Sequence, residues 1–293
     1  MDFVLILQTL LLALATAGLY AAIASGLTLE FGVTRIINFA HGEFVMLGAF
    51  VTYFLNTLAD VPAPLAILIA GAAMAVFSVL VFYGFLAHVL RQDEHNQILA
   101  TLGLSILIIN LAIIAWTPDA RVMHVSPVMP ALSLLGVTIP GNNVFVLLVG
   151  ILLYAALMGF MRYSRYGLEL RLASDDPDLA ALTGINVNRM FALSFMIGGI
   201  TAGIAGGLVA LVLYVQPSVG VDLVMRAFAI VALAGLGSIP GALIGAVILS
   251  VAEGFVATFV SKGASWGYGV AFLIIVIVLL VRPYGMFGRE RRA

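Results

Sequence analysis

The chain of 293 residues contains no cysteine and a single lysine, Lys262. Without thiols it has no disulfides, no thiolate metal sites and no thiol catalysis. The lysine follows Ser261 and precedes Gly263, so the pattern G-x-x-x-x-G-K-[ST] is missing and with it any P-loop for ATP hydrolysis. Charge of both signs is scarce, 9% of residues, where a soluble globule carries about 25%. A net charge of −1 and scattered arginines exclude the clustered basic surface that nucleic acid requires.

Apolar sequence fills the space that charge leaves. Hydrophobic residues make up 63% and the mean hydropathy is +1.19, which excludes a soluble protein. About 20 apolar residues cross roughly 30 Å of hydrocarbon as a helix. Runs of that kind recur at 4–29, 43–59, 63–88, 97–116, 143–161, 190–214, 222–237, 240–260 and 266–282, and no stretch is left for a separate soluble domain. The expectation is an all-α polytopic integral membrane bundle of about eight to ten helices with broken or re-entrant segments, residues 1–293 forming one transmembrane domain. Ala15-Thr16-Ala17 looks like a signal-peptide cleavage site, but the only charge before it is Asp2 and the apolar run continues to Leu29, so a first transmembrane helix is the better reading.

Arginine sets the sidedness. With the carboxyl terminus in the cytoplasm, Arg91, Arg162, Arg165, Arg171, Arg189, Arg282, Arg289, Arg291 and Arg292 fall inside, against Arg121 and Lys262 outside. Nine crossings then put the amino terminus outside. Small residues four apart, Gly199, Gly203 and Gly207 in one segment and Gly237, Gly241 and Gly245 around another, predict close helix packing.

The stretch TRIINFAHGEF, residues 34–44, interrupts this pattern. Were Glu30, Arg35 and Glu43 all to face lipid at mid-bilayer, the cost would be roughly 8–10 kcal/mol. They must pair, reach an interface or line a wet cavity; a continuous helix does not let them touch, but a break at Gly32 or Gly42 could fold them together. Asn38, His41 and Glu43 are candidates for a translocation gate or, equally, for a polar clamp that holds the break. Glu253 is a further pathway candidate, while Asp222 and Arg226, four apart, suit a structural i,i+4 pair.

Residues 162–189 are longer than a membrane turn needs. Asp176 suits an N-cap, Pro177 the first helical position, Asp178 the positive end of the helix dipole and Gly184 a left-handed C-terminal cap. The predicted two-turn helix presents Leu179, Ala180, Leu182 and Thr183, a surface suited either to docking in a partner's groove or to plain solvation.

Catalytic patterns are thin. His41-Gly42-Glu43 is not H-E-x-x-H, His88 and His95 suit an interface, and Ser105, Ser194 and Ser250 suit hydroxyls bonded back to their own helices. A membrane enzyme is not supported.

Four stretches carry a resemblance, in order along nearly the whole chain: GLTLEFGVTRIINFAHGEFVMLGAF, DDPDLAALTGINVNR, GLGSIPGALIGAVILSVAEG and VRPYGMFG. Together they closely resemble the LivH-type permeases, the integral membrane subunits of branched-chain amino acid ABC importers. The resemblance implies a multi-pass subunit of a bacterial inner membrane that moves branched-chain or related small amino acids inward by alternating access. It also implies a LivM-like second permease, two cytoplasmic ATPases that use ATP and Mg, and an extracytoplasmic solute-binding protein, with no cofactor bound by this chain. Asp175, Asp176, Pro177, Asp178, Leu179, Ala180, Leu182 and Gly184 match the family's ATPase-coupling region. The rival class is an ion-coupled secondary transporter with Glu30, Glu43 or Glu253 as its coupling carboxylate, for which a docking helix would have no purpose.

Overall fold

The computed structural model describes residues 3–90, 92–134, 136–282 and 285–287. Asp2, Arg91, Arg289, Arg291 and Arg292, and Pro283, Tyr284 and Gly288 of VRPYGMFG, lie outside the described residues.

All nine apolar segments become helices. They are α1 (Phe3–Thr34), α2 (His41–Ala59), α3 (Ala63–Val81) continuing through a π turn into α4 (Ala87–Val89), α5 (Glu94–Trp116), α6 (Gly141–Tyr163), α9 (Val187–Val212), α10 (Val219–Ala234), α11 (Ile239–Phe259) and α12 (Gly267–Val281). Two short helices that hydropathy does not mark, α7 (Arg165–Asp175) and α8 (Pro177–Leu182), lie between α6 and α9. A small antiparallel hairpin, β1 (Leu132–Leu134) and β2 (Val137–Ile139), precedes α6. Among the described residues seven helices are long and apolar enough to cross a membrane, whereas α10 and α12 have only 16 and 15 residues.

The layering follows from which faces each helix leaves bare. In α9, 72% of the best membrane-spanning window is buried, against 22% in α5 and 17% in α6. α9 is therefore an inner helix, packed against α1, α2 and α3, while α5 and α6 present Leu99, Leu107, Ile114 and Leu152 outward. Such apolar surface is at home against lipid chains.

Close packing in lipid relies on small residues, since lipid tails compete with apolar side chains for contact. Gly199 and Gly203 of α9 lie against Met74, Ser78 and Ala70 of α3, and Gly207 lies against Ile67 and Thr52, as the spacing predicts. A second row, Gly198 and Gly206, faces α1 and α2.

The two ends of the bundle differ. At one, Ser174 of α7 bonds to α1, Gly237 packs on Gly32, and Phe287 bonds back to Ala234. At the other, Arg121 and Val215 form an antiparallel bridge, and the hairpin leads into α6.

Candidate functional site

The TRIINFAHGEF stretch is where α1 turns back on itself. The break does not fall at Gly32 or Gly42, both of which are helical; it occupies 35–40. Arg35 adopts φ +61, the left-handed region, at about 1–2 kcal/mol for a residue with a Cβ. Its guanidinium Nη2 offsets that strain by donating to the Ser174 carbonyl at 3.0 Å, and the Ser174 hydroxyl donates to the Gly32 carbonyl at 2.5 Å. Of the three outcomes left open for it, Arg35 takes exposure at the bundle end and does not pair with Glu30 or Glu43: a charged tip that can reach water has no reason to be buried.

From Arg35 the chain returns into the bundle. Ile36 is fully buried, and Thr101 of α5 donates to the Ile37 carbonyl at 3.0 Å. Asn38 then organises the start of α2: its Oδ1 accepts from Ala40 N at 3.1 Å and its Nδ2 donates to Glu30 Oε2 at 2.8 Å. His41 Nδ1 lies 3.1 Å from Glu30 Oε1, and Nε2 lies 3.2 Å from the Ile23 carbonyl.

Hydrogen-bond counting gives one self-consistent arrangement of hydrogens for this cluster. A carbonyl only accepts, so Nε2 carries a hydrogen. The contact between Nδ1 and Oε1 then needs one proton, which makes the pair neutral as a unit, whether written as imidazolium and carboxylate or as imidazole and carboxylic acid. All three side chains are completely shielded, and neutrality is what allows it. Glu30, which the sequence marks only as an expensive charge, is the hub of the cluster.

Glu43 lies in the first turn of α2, where the helix dipole favours negative charge. Its Oε1 accepts from the Ser105 hydroxyl of α5 at 3.0 Å, while Oε2 has no hydrogen-bond partner among the described residues. Ser105 is therefore not back-bonded as the sequence suggests; a buried carboxylate across the bundle outcompetes its own helix. Ser194 and Ser250 do bond back, to the Phe191 and Val247 carbonyls. Close by, Gly42 of α2 meets the Gly220 carbonyl of α10 with no room for a Cβ. In this conformation Asn38, His41 and Glu43 are all fully buried, Asn38 and His41 bonded to Glu30 and Glu43 to Ser105.

Glu253 is differently placed. Its Oε2 accepts from the Tyr20 hydroxyl at 2.7 Å and its Oε1 from Arg226 Nε at 3.1 Å, joining α11 to α1 and α10. Arg226 also donates from Nη1 to the Asp222 main-chain carbonyl at 3.1 Å. One salt bridge of Arg226 thus reaches 27 residues along the chain to Glu253, a partner that i,i+4 spacing cannot suggest. A cavity of about 250 Å³ adjoins Tyr20, Asp222 and Arg226, and one of about 480 Å³ adjoins Arg226 and Glu253.

The segment 162–189 folds as two helices at the bundle end that holds Arg35. Ser164 caps α7 by accepting from Gly167 N at 2.8 Å. α7 turns Leu170 and Ala173 inward against Leu29 and Val33 of α1. Asp176 caps α8 by accepting from Asp178 N and Leu179 N at 3.0 Å each, with Pro177 at the first turn. At the other end Gly184 has φ +86, Gly184 N donates to the Ala181 carbonyl and Ile185 N to the Ala180 carbonyl, which is a Schellman closure.

Asp175, Asp176, Pro177, Asp178, Leu179, Leu182 and Gly184 are exposed, but Ala180 is 3% exposed and packs inward. The outward surface is corrected accordingly: in so short a helix one position must face the bundle. Asp176→Ala removes both cap bonds and is expected to weaken α8 by about 1 kcal/mol. Hydrogen exchange at the amides of 178–183 would report it as faster exchange confined to that helix.

Comparison with known proteins bears on these sites. The sequence profile of the family described as branched-chain amino acid transport system / permease component matches residues 9–279. The chain is 30% identical to the high-affinity branched-chain amino acid transport system permease protein LivH of Salmonella typhimurium, over 98% of this chain and 97% of that protein. It is 31% identical to the corresponding permease protein BraD of Pseudomonas aeruginosa, over 97% and 96%. Among solved structures, PsaBC from Streptococcus pneumoniae in complex with Fab shares the fold, with a TM-score of 0.52 at 14% identity, covering 97% of this chain and 94% of that one. A profile that spans nearly the whole chain and relatives of matching length leave one assignment: the chain belongs to the permease-component family of branched-chain amino acid transport systems.

Proposed function

We propose that this permease component passes branched-chain amino acids into a bacterial cytoplasm as one of two permeases, the other of LivM type, in an ATP-driven importer. An extracytoplasmic binding protein delivers the solute, and two cytoplasmic ATPases, which hold the ATP and Mg, dock at the end bearing α7 and α8. The arginines at that end, Arg162, Arg165, Arg171 and Arg189, support placing it in the cytoplasm and Phe3 outside.

The observation that carries the reading is α8. It is closed by caps at both ends, and it holds Leu179 and Leu182 out at 60% and 83% exposure, two apolar side chains uncovered on a surface otherwise rich in charge. A rigid helix with outward leucines is what a groove in a partner recognises. An ion-coupled carrier is less well supported, since Glu30 is locked to His41 and Asn38 and Glu253 is held by Arg226 and Tyr20, which leaves it only Glu43, bonded through Oε1 to Ser105.

The test is co-purification with the ATPases and leucine uptake by the reconstituted complex. Leu179→Asp with Leu182→Asp leaves the buried Ala180 and both caps in place. It is expected to release the ATPases and abolish uptake while the chain still folds. Full ATPase retention by that variant would count against docking at α8.

A further inference from the structure

We infer that Arg226 and Glu253 form an internal subsite that holds the zwitterionic head of the amino acid in transit. The inference rests on the permease reading above and adds to it the groups that touch the solute. Three observations carry it.

The first is access. Both residues belong to helices in the apolar bundle, yet their side chains remain 21% and 13% exposed, whereas Glu30 and His41 are at 0%. Ionisable groups inside a membrane bundle that keep access to a cavity mark paths for polar solutes.

The second is position. Arg226 and Thr16 line both cavities; Tyr20 faces one and Glu253 the other. The pair stands as a partition between two spaces, one flanked by the hairpin end of α6 through Asn143 and the other by the turn from α11 to α12.

The third is chemistry. In the first cavity Asp222 and Arg226 sit among Leu19, Val146, Val212 and Leu223, which offer a cation and an anion beside a wall for a branched aliphatic chain.

A zwitterion suits this partition because it can exchange partners with it. Arg226 passes from Glu253 to the solute carboxylate as Glu253 accepts the solute ammonium, so the one internal ion pair is replaced by two with the solute and neither protein charge loses its partner. Each charge stays matched while it is out of bulk water, the condition under which buried charges are tolerated. Tyr20, whose hydroxyl donates to Glu253 at 2.7 Å, orients the carboxylate for that exchange.

The experiment uses the reconstituted complex with its binding protein, its ATPases and radiolabelled L-leucine. Failure of the wild-type complex to import leucine would overturn the permease reading itself, separately from the subsite. Given wild-type import, Arg226→Gln is expected to lower maximal uptake roughly tenfold to a hundredfold, the worth of a charge-assisted contact, while ATP hydrolysis stimulated by the binding protein continues. The double variant Arg226→Met with Glu253→Met separates a site from a strut. A merely structural ion pair replaced by apolar side chains of similar size returns to wild-type uptake, whereas a solute subsite stays impaired. Recovery in the double variant, or wild-type uptake by Arg226→Gln, overturns the inference. A second measurement does not depend on either variant folding. The chain has no cysteine, so Thr16→Cys gives one label on it. Leucine is expected to slow its reaction with a water-soluble maleimide, and unchanged labelling in complexes that import leucine overturns the subsite.

Discussion

Glu30→Ala is expected to leave no chain that survives extraction in folded form. The substitution strands the fully buried Asn38 amide and His41 Nδ1, and it opens a void beside Gly198, whose missing Cβ makes room for the Glu30 carboxyl. Removing one partner of a buried pair costs about 3–5 kcal/mol, comparable to the whole stability of many domains. Glu30→Gln is the informative contrast. Its oxygen accepts from Asn38 and its amide donates to Nδ1 of a neutral His41, so every hydrogen bond is kept without any charge. A neutral unit sharing one proton predicts that Gln is tolerated, within about 1 kcal/mol of wild type. Size-exclusion recovery after graded heating would rank the three proteins, and equal collapse of both variants would show that a formal ion pair is required.

Gly206→Val should be as damaging, for a purely steric reason. A Cβ at Gly206 would stand 2.1 Å from the Val45 carbonyl oxygen and 2.6 Å from Ala49 N, both backbone atoms of α2 that cannot swing aside. α9 and α2 would have to separate along their contact, and α9 is the helix on which α1, α2 and α3 converge. Overpacking that a flexible side chain would absorb costs about 1–3 kcal/mol, and rigid backbone on the other side puts this case at or beyond the top of that range. Gly103→Ala supplies the control. No atom lies within 4 Å of a Cβ there, and alanine in an exposed helix is better than glycine by roughly 0.5–1 kcal/mol. Yields of membrane-inserted monodisperse protein should therefore fall to background for the first and hold or rise for the second.

What could be read in advance was local. The helices follow from hydropathy because each span satisfies its own backbone, and the ends of α8 follow from Asp176, Pro177 and Gly184 because caps act within a few residues. The glycine row 199, 203 and 207 predicted close packing correctly, whereas the second row, Gly198 and Gly206, is interrupted by Ala202 and escaped a search for glycine alone. The pairings that matter most are long-range. Glu30 meets His41 across a chain reversal, Ser105 meets Glu43 from 62 residues away, and Glu253 meets Tyr20 from 233 residues away. Nothing in the spacing of these residues encodes such partners. The sequence marks them only as polar groups too costly to leave in lipid, which locates the site without its wiring. α7 went unseen for the opposite reason: its charged face resembles a loop, and only contact with Leu29 and Val33 makes it a helix worth keeping.

The two hydrogen bonds of Ser174 give the bundle a load path. One grips the last turn of α1 at the Gly32 carbonyl and the other grips the first residue beyond it, through Arg35, so that the helix end is held on both sides of its terminus. A force applied at Leu179 or Leu182 travels through α7 to that grip. The end of α1 is thereby held against fraying, and the next element along the chain is the six-residue return at 35–40 that carries Asn38 into the bundle. A load placed on α8 would therefore be expected to arrive beside the Glu30 cluster, some distance from where it is applied.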